Sequence, residues 1–184
     1  MLTLSFVSEL VTGVTEAVRE AASKLRDAEV PPEALALFVP ERRKLLIRRK
    51  ATMQPLGEVW RLGTLLVGSD PAAPALFVAG RATRSAVRPY PGNQSVSREE
   101  RRDIAAAALQ GGYPEGTAVN FDALPVTLDE PSLAVLAPEL PLGVVDGELR
   151  VRWRAGAPLD GAQTLAAYLA ERVDLLIHPP TQHM

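Results

Sequence analysis

The sequence predicts an α+β fold: a small, mostly antiparallel sheet packed with an N-terminal, a central and a C-terminal helix. Three observations carry this reading. Across residues 5–28, Val7, Leu10, Val11, Val14, Val18, Ala21 and Leu25 recur at the 3.6-residue helical period, with Glu16, Arg19, Glu20 and Lys24 elsewhere on the wheel. In GVVDGELRVRW, Asp146-Gly147 suits the two central positions of a type I′ hairpin turn. Near the C-terminus, Leu165, Tyr168, Leu169, Val173 and Leu176 form a second helical stripe, running from about Ala162 to Ile177.

The elements between these follow in order. Pro31, Pro32 and Pro40 interrupt the chain after the first helix, because proline disfavours helix in the residue before it and starts new turns. ERRKLLIRRKA fits a short helix or a strand, since its basic groups lie all round a helical wheel. GEVWRLGTLLVG and ALFVAGRATR are β-rich apolar runs, and the proline-containing SDPAAP between them makes them an antiparallel pair. Ser97 and Glu100 have the spacing of a capping box, so the central helix is expected to begin at Ser97 and to end at Gly111-Gly112. TAVNFDALPV reads as one short strand, and Asp129-Glu130-Pro131 as a helix or turn start. The Asp-Gly turn pairs Val144 with Leu149 and Leu142 with Val151. That register puts Leu142, Val144, Leu149, Val151 and Trp153 on one face and Arg150, Arg152 and Arg154 on the other. His178-Pro179-Pro180 stops the last helix. Trp60 and Trp153 are both expected in the core.

At 184 residues the chain suits a single domain, 1–184, with 1–28 as a semi-independent N-terminal helix. It has no cysteine, which removes thiol nucleophiles, thiolate metal sites and disulfides and fits a cytoplasmic location. No apolar run approaches a membrane span, and the apolar start lacks the basic leader of a signal peptide and reaches Glu9 early, so it reads as part of the mature fold. Arginine outnumbers lysine 17 to 3, as a GC-rich bacterial genome encodes. The net charge of −2 is unevenly spread: residues 41–102 carry 13 basic and 5 acidic groups, whereas residues 103–184 carry 4 and 11. Such asymmetry either marks a site for an anionic partner or vanishes when the segments pack together.

The richest basic stretch is RATRSAVRPYPGNQSVSREERR, with six arginines in residues 81–102. Arg81, Arg84 and Arg88 can converge on a phosphate or carboxylate, because guanidinium forks match planar oxyanions. Tyr90 and Asn93 can orient the ligand, and Asn120 and Asp122, flanking Phe121 on a strand, can face it across a pocket. The plainer reading is a solvated loop whose arginines pair with Glu99 and Glu100. Residues 41–50 hold six more basic groups around Leu45, Leu46 and Ile47. Too short and too uniformly basic for a clean amphipathic helix, they read as a solvated element pinned by those three apolar residues rather than as a membrane-surface or nucleic-acid patch. The Arg150, Arg152, Arg154 stripe has no interleaved aromatic residue on its own face, so nucleic acid is not an expected partner. His178 and His183, the two histidines, lack the spacing of a metal motif, and neither a metal nor a cofactor is expected. No P-loop, G-x-G-x-x-G or G-x-S-x-G is present.

PLGEVWRLGTLLV, PGNQSVSREERRDIAAAAL, AVNFDALPV and LLIHPP together resemble a group of small actinobacterial proteins with no established function. The resemblance spans residues 53–128 and 164–180 and implies no activity. Chains similar to these sometimes bear the name glutaminase, but this sequence has neither the cysteine nor the S-x-x-K serine of glutaminase families. The expectation is therefore a binding domain for a small anionic ligand. The alternatives are a partner-binding or homodimerising module using the N-terminal helix, and a small hydrolase with Asp122 or His178 as base.

Overall fold

The structure, a computed structural model, describes residues 3–44, 47–88, 96–154 and 156–180. Helix α1 (Thr3–Asp27) leads into strand β1 (Glu33–Val39), a ribbon of β2 (Arg42–Lys44) and β3 (Ile47–Arg49), and the long strand β4 (Thr52–Leu62). Strands β5 (Leu65–Gly68), β6 (Leu76–Val78) and β7 (Arg81–Arg84) precede helix α2 (Val96–Gln110). After β8 (Ala118–Phe121) and β9 (Leu124–Val126) come the short helix α3 (Glu130–Ala134), the hairpin β10 (Leu142–Val145) and β11 (Glu148–Val151), β12 (Gln163–Thr164), and helix α4 (Leu165–Ile177). The described residues thus form both helices and strands, with mostly antiparallel pairing, as expected.

Two compact units each enclose a core of their own. Unit 1 comprises residues 1–31, 60–78 and 124–184, and unit 2 comprises 32–59 and 79–123. The strand β4 passes from the second into the first at Trp60.

In unit 1, α1 buries Val14, Val18, Ala21 and Leu25, the stripe its periodicity marks. It packs along α4 and also meets α3, β5 and β11. Tyr168, in the apolar stripe of α4, anchors the turn between β4 and β5. Its hydroxyl donates to the Leu62 carbonyl at 3.1 Å and accepts from the Thr64 backbone N–H at 3.1 Å. Trp60 is buried as expected and donates its indole N–H to the Val30 carbonyl at 2.9 Å. β5 pairs antiparallel with β6 across the proline-containing turn, and β6 with β9. The Asp-Gly hairpin has the expected register, Leu142 against Val151 and Val144 against Leu149. Asp146 and Gly147 both take positive φ, 53° and 76°, as a type I′ turn requires.

In unit 2, the strand order is β7-β8-β1-β4, with β1 and β8 parallel and the other neighbours antiparallel. Its core gathers Ala36, Met53, Ile104, Ala108, Val119 and Phe121 between this sheet and α2, with Phe38 and Tyr113 packed against it. Opposite β1 the register shifts, so that Leu35 faces Gly57 and Ala36 faces Pro55. Leu56 is the extra residue of this bulge, and the bulge accommodates a proline that has no N–H for the ladder. Gly57 takes φ 146° there, a conformation other residues rarely adopt.

Several expectations change. Residues 33–39 form a full strand: α1 has already ended at Asp27 with Glu29 at φ 54°, and none of Pro31, Pro32 and Pro40 lies inside β1. GEVWRLGTLLVG divides at the Gly63-Thr64 turn into two strands, and TAVNFDALPV divides at Asp122, whose φ is 54°. ERRKLLIRRKA is neither one helix nor one strand but the β2–β3 ribbon. The central helix starts at Val96, so Ser97 is already inside it and is not its cap. Its end is as expected, with the Tyr113 N–H reaching back to the Ala108 carbonyl and Gly112 at φ 92°. The last helix begins at Leu165 rather than Ala162, because the Thr164 hydroxyl caps it by accepting from the Ala167 N–H. Leu176 stays 41% exposed at its far end. Trp153 is 75% exposed, because the β11 strand ends at Val151 and its alternation does not reach Trp153. The Arg154 guanidinium lies over the exposed indole at 4.4 Å.

Candidate functional site

Of the seven residues the sequence nominates, Tyr90 and Asn93 lie outside the described residues. The other five belong to unit 2 but do not converge. β7 pairs Arg81 with Phe121 and Arg84 with Ala118, and strand alternation sends the two arginines to opposite faces of the sheet. Arg81 lies over the Phe121 ring at 5.1 Å and pairs with Glu100 at 3.0 Å and Asp122 at 3.9 Å. Arg84 donates instead to the Gly116 carbonyl at 3.1 Å. Asn120 is fully buried and ties β8 to β1, its amide donating to the Glu33 carboxylate at 2.8 Å and the Ala34 carbonyl at 3.3 Å. Asp122 occupies a turn with its side chain half exposed.

Arg88 sits elsewhere, and its placement is built in steps. Ser85, 1% exposed, ends β7 by donating its hydroxyl to the Tyr113 carbonyl at 2.9 Å, while its backbone N–H reaches the Thr117 carbonyl. The Ala86 N–H then bonds the Ala105 carbonyl of α2. The chain is thereby held along the helix as it runs to Arg88, whose guanidinium meets Asp103 at 2.9 Å and Glu99 at 3.5 Å.

A cavity of about 1030 Å³ opens at this place. Asp103, Ala106, Ala107, Leu109 and Gln110 of α2 form one wall, Phe38 and Glu41 a second, Lys50 and Ala51 a third, and Arg88 completes the lining. It therefore combines two cations, two carboxylates, an aromatic ring and an amide. Sequence reasoning named Arg88 but passed over Phe38 and Gln110. In the sequence Lys50 is one of six basic residues in 41–50, and no local pattern ties it to the arginine loop.

The other chemical leads are engaged structurally. Arg150 donates to the Ala162 carbonyl at 2.8 Å and the Glu148 carboxylate at 2.7 Å. Arg152 donates to the Leu140 and Leu142 carbonyls, both at 2.7 Å. Two arginines of the predicted stripe thus hold the hairpin, while the third, Arg154, lies over the Trp153 ring. His178 caps α4 with its ring 3.0 Å from the Asp174 carboxylate, exposed to solvent. Among the described residues, no three His, Asp or Glu side chains gather as a metal site needs, and no helix is long and apolar enough to cross a membrane.

Tyr113 borders the unit 2 core with its hydroxyl buried and, among the described residues, without a hydrogen-bond partner. Burial pushes its pKa above the ordinary 10.0, since the phenolate would lose its hydration. The neutral phenol is therefore the folded form, and its share of stability is complete below pH 10 and lost as pH rises toward the raised value. Tyr113→Phe should leave the protein as stable or about 1 kcal/mol more stable, because a buried hydroxyl without a partner costs desolvation. The same variant should flatten the loss of stability above pH 10. Denaturant titrations at neutral and alkaline pH check both.

Comparison of the chain with family models, with curated proteins and with solved structures brings no match.

Proposed function

We propose that unit 2 is a binding module for a small anionic ligand, taken in the cavity beside α2 with Arg88 and Lys50 as its cationic groups. The observation that carries this reading is that Arg88, the sequence-nominated arginine held against α2, lines the same cavity as Lys50. A guanidinium offers a forked pair of donors to a carboxylate or phosphate, and a lysine adds a mobile point charge. Phe38 supplies an apolar wall and Gln110 an amide donor. Asp103 and Glu99 hold Arg88 in the absence of ligand, so an anion has to share or displace those partners. That competition favours modest affinity.

The test is thermal unfolding at low salt against nucleotides, phosphorylated metabolites, dicarboxylates and amino acids. A ligand at about 100 times its Kd adds about 2.7 kcal/mol, or roughly 5–11 °C for a chain of this size. With a ligand in hand, Arg88→Glu should weaken binding by about 10–100-fold, the loss of one charge-assisted contact. Arg84→Glu, on the opposite face of the sheet, should leave affinity unchanged. A flat panel, or full affinity in Arg88→Glu, would overturn the reading. The self-association alternative draws on a separate observation in unit 1, developed below. For the hydrolase alternative, Asp122 belongs to unit 2 and His178 to unit 1, and each has a structural place already.

A further inference from the structure

A groove of about 370 Å³ lies on unit 1 between α1 and the β10–β11 turn. Its floor is apolar, with Leu10, Val14, Leu149 and Leu165, and its rim carries Glu9, Asp146 and Glu148 with no basic residue among those lining it. Glu148 is already paired with Arg150 at 2.7 Å, which leaves the rim acidic at Glu9 and Asp146.

Gly13 also lines this groove, in the interior of α1. A glycine there costs about 1 kcal/mol against alanine. A Cβ at Gly13 would meet nothing within 4 Å, so no close approach among the described residues accounts for the glycine. What its missing side chain does is leave the groove open.

An apolar floor with an acidic rim suits a basic partner that carries apolar residues, and the chain itself holds one segment of that chemistry. Among the described residues, β2 and β3 pair only with each other, in a two-stranded sheet of their own. Residues 42–50 contain six basic groups and no acidic one, with Leu45, Leu46 and Ile47 among them in sequence. Arg42 and Arg49 are exposed. A two-stranded ribbon alone is marginally stable in water and gains from a surface to lie on. We propose that the β2–β3 ribbon of one copy docks in the acidic groove of a second copy, so that the protein self-associates through two different surfaces. Charge complementarity selects the partner, and the contact is heterologous, because ribbon meets groove rather than ribbon meeting ribbon.

The experiment is sedimentation velocity on the full chain over a range of concentrations, at about 50 mM and about 500 mM salt, where screening differs strongly. Wild-type protein should associate at low salt and less at high salt. Arg42→Glu with Arg49→Glu, and separately Glu9→Arg, should each weaken association by about ten-fold or more. An equimolar mixture of these two variants should associate again, since one keeps a basic ribbon and the other an acidic groove. Gly13→Leu should fill the groove and weaken association similarly while keeping a cooperative unfolding transition, because the space at Gly13 is open and leucine favours helix. A wild-type chain that stays monomeric at low salt overturns the proposal. So does association that persists in the variants, or a mixture that fails to restore it.

Discussion

Phe121→Ala is expected to destabilise unit 2 by about 3–5 kcal/mol, the usual cost of emptying a large aromatic site in a core. Phe121 is 1% exposed and is among the largest fully buried side chains. Its ring lies 6.0 Å from that of Phe38 at an angle of 48°, and the Arg81 guanidinium lies over it at 5.1 Å. The substitution would therefore remove apolar burial, an aromatic pair and a cation–π contact together. Phe121→Leu should cost clearly less, because it refills most of the volume. Denaturant unfolding of both variants gives the magnitudes, and hydrogen exchange at β1 and β8 amides shows where the loss falls. A cost under about 1 kcal/mol for the alanine variant would mean that the site collapses freely and that β8 does not organise the core.

Gly111→Ala should be the second large effect. A Cβ at Gly111 would run into the Met53 carbonyl of β4, a backbone atom that cannot rotate aside. Relief requires the C-terminal end of α2 to lift from the sheet, at about 1–3 kcal/mol. Ala106, Ala107, Leu109 and Gln110 on that end line the cavity, so the same shift should reduce affinity for any ligand identified there. Gly112→Ala adds no such collision, since nothing lies within 4 Å, but it strains a positive φ. Its unfolding cost should be smaller, about 1 kcal/mol, with ligand affinity retained. Comparing the two variants by unfolding and by titration separates a displaced wall from a weakened helix cap.

How much of this was legible in the sequence depends on the range of the signals. The α1 stripe, the Asp146-Gly147 hairpin with its register, the Gly111-Gly112 stop and the His178-Pro179 stop are local patterns. Each has its cause within a few residues, and each appears in the structure. The β1 strand was hidden because its flanking prolines look like breakers, while one of its two partners, β8, lies far away in sequence, with Ala34 against Val119. Trp153 misled because its alternation continues past the residue where strand pairing ends. The site was the least legible part. Arg81, Arg84 and Arg88 look like one cluster in sequence, yet strand alternation and the end of β7 at Ser85 distribute them among three sets of partners. Lys50 joins Arg88 only through the fold of unit 2.

The pairing of α1 with α4 also sets a timetable for synthesis. The buried stripe of Val14, Val18, Ala21 and Leu25 is made first, but the α4 surface it packs along, from Leu165 to Ile177, is made some 140 residues later. At about 5–20 residues per second, α1 waits on the order of 7–30 s on the ribosome for that partner. Both segments of unit 2 emerge within that interval. Nascent chains should therefore keep the α4-facing side of α1 uncovered until α4 is made, and a chaperone that reads such surfaces should release them only once α4 has emerged.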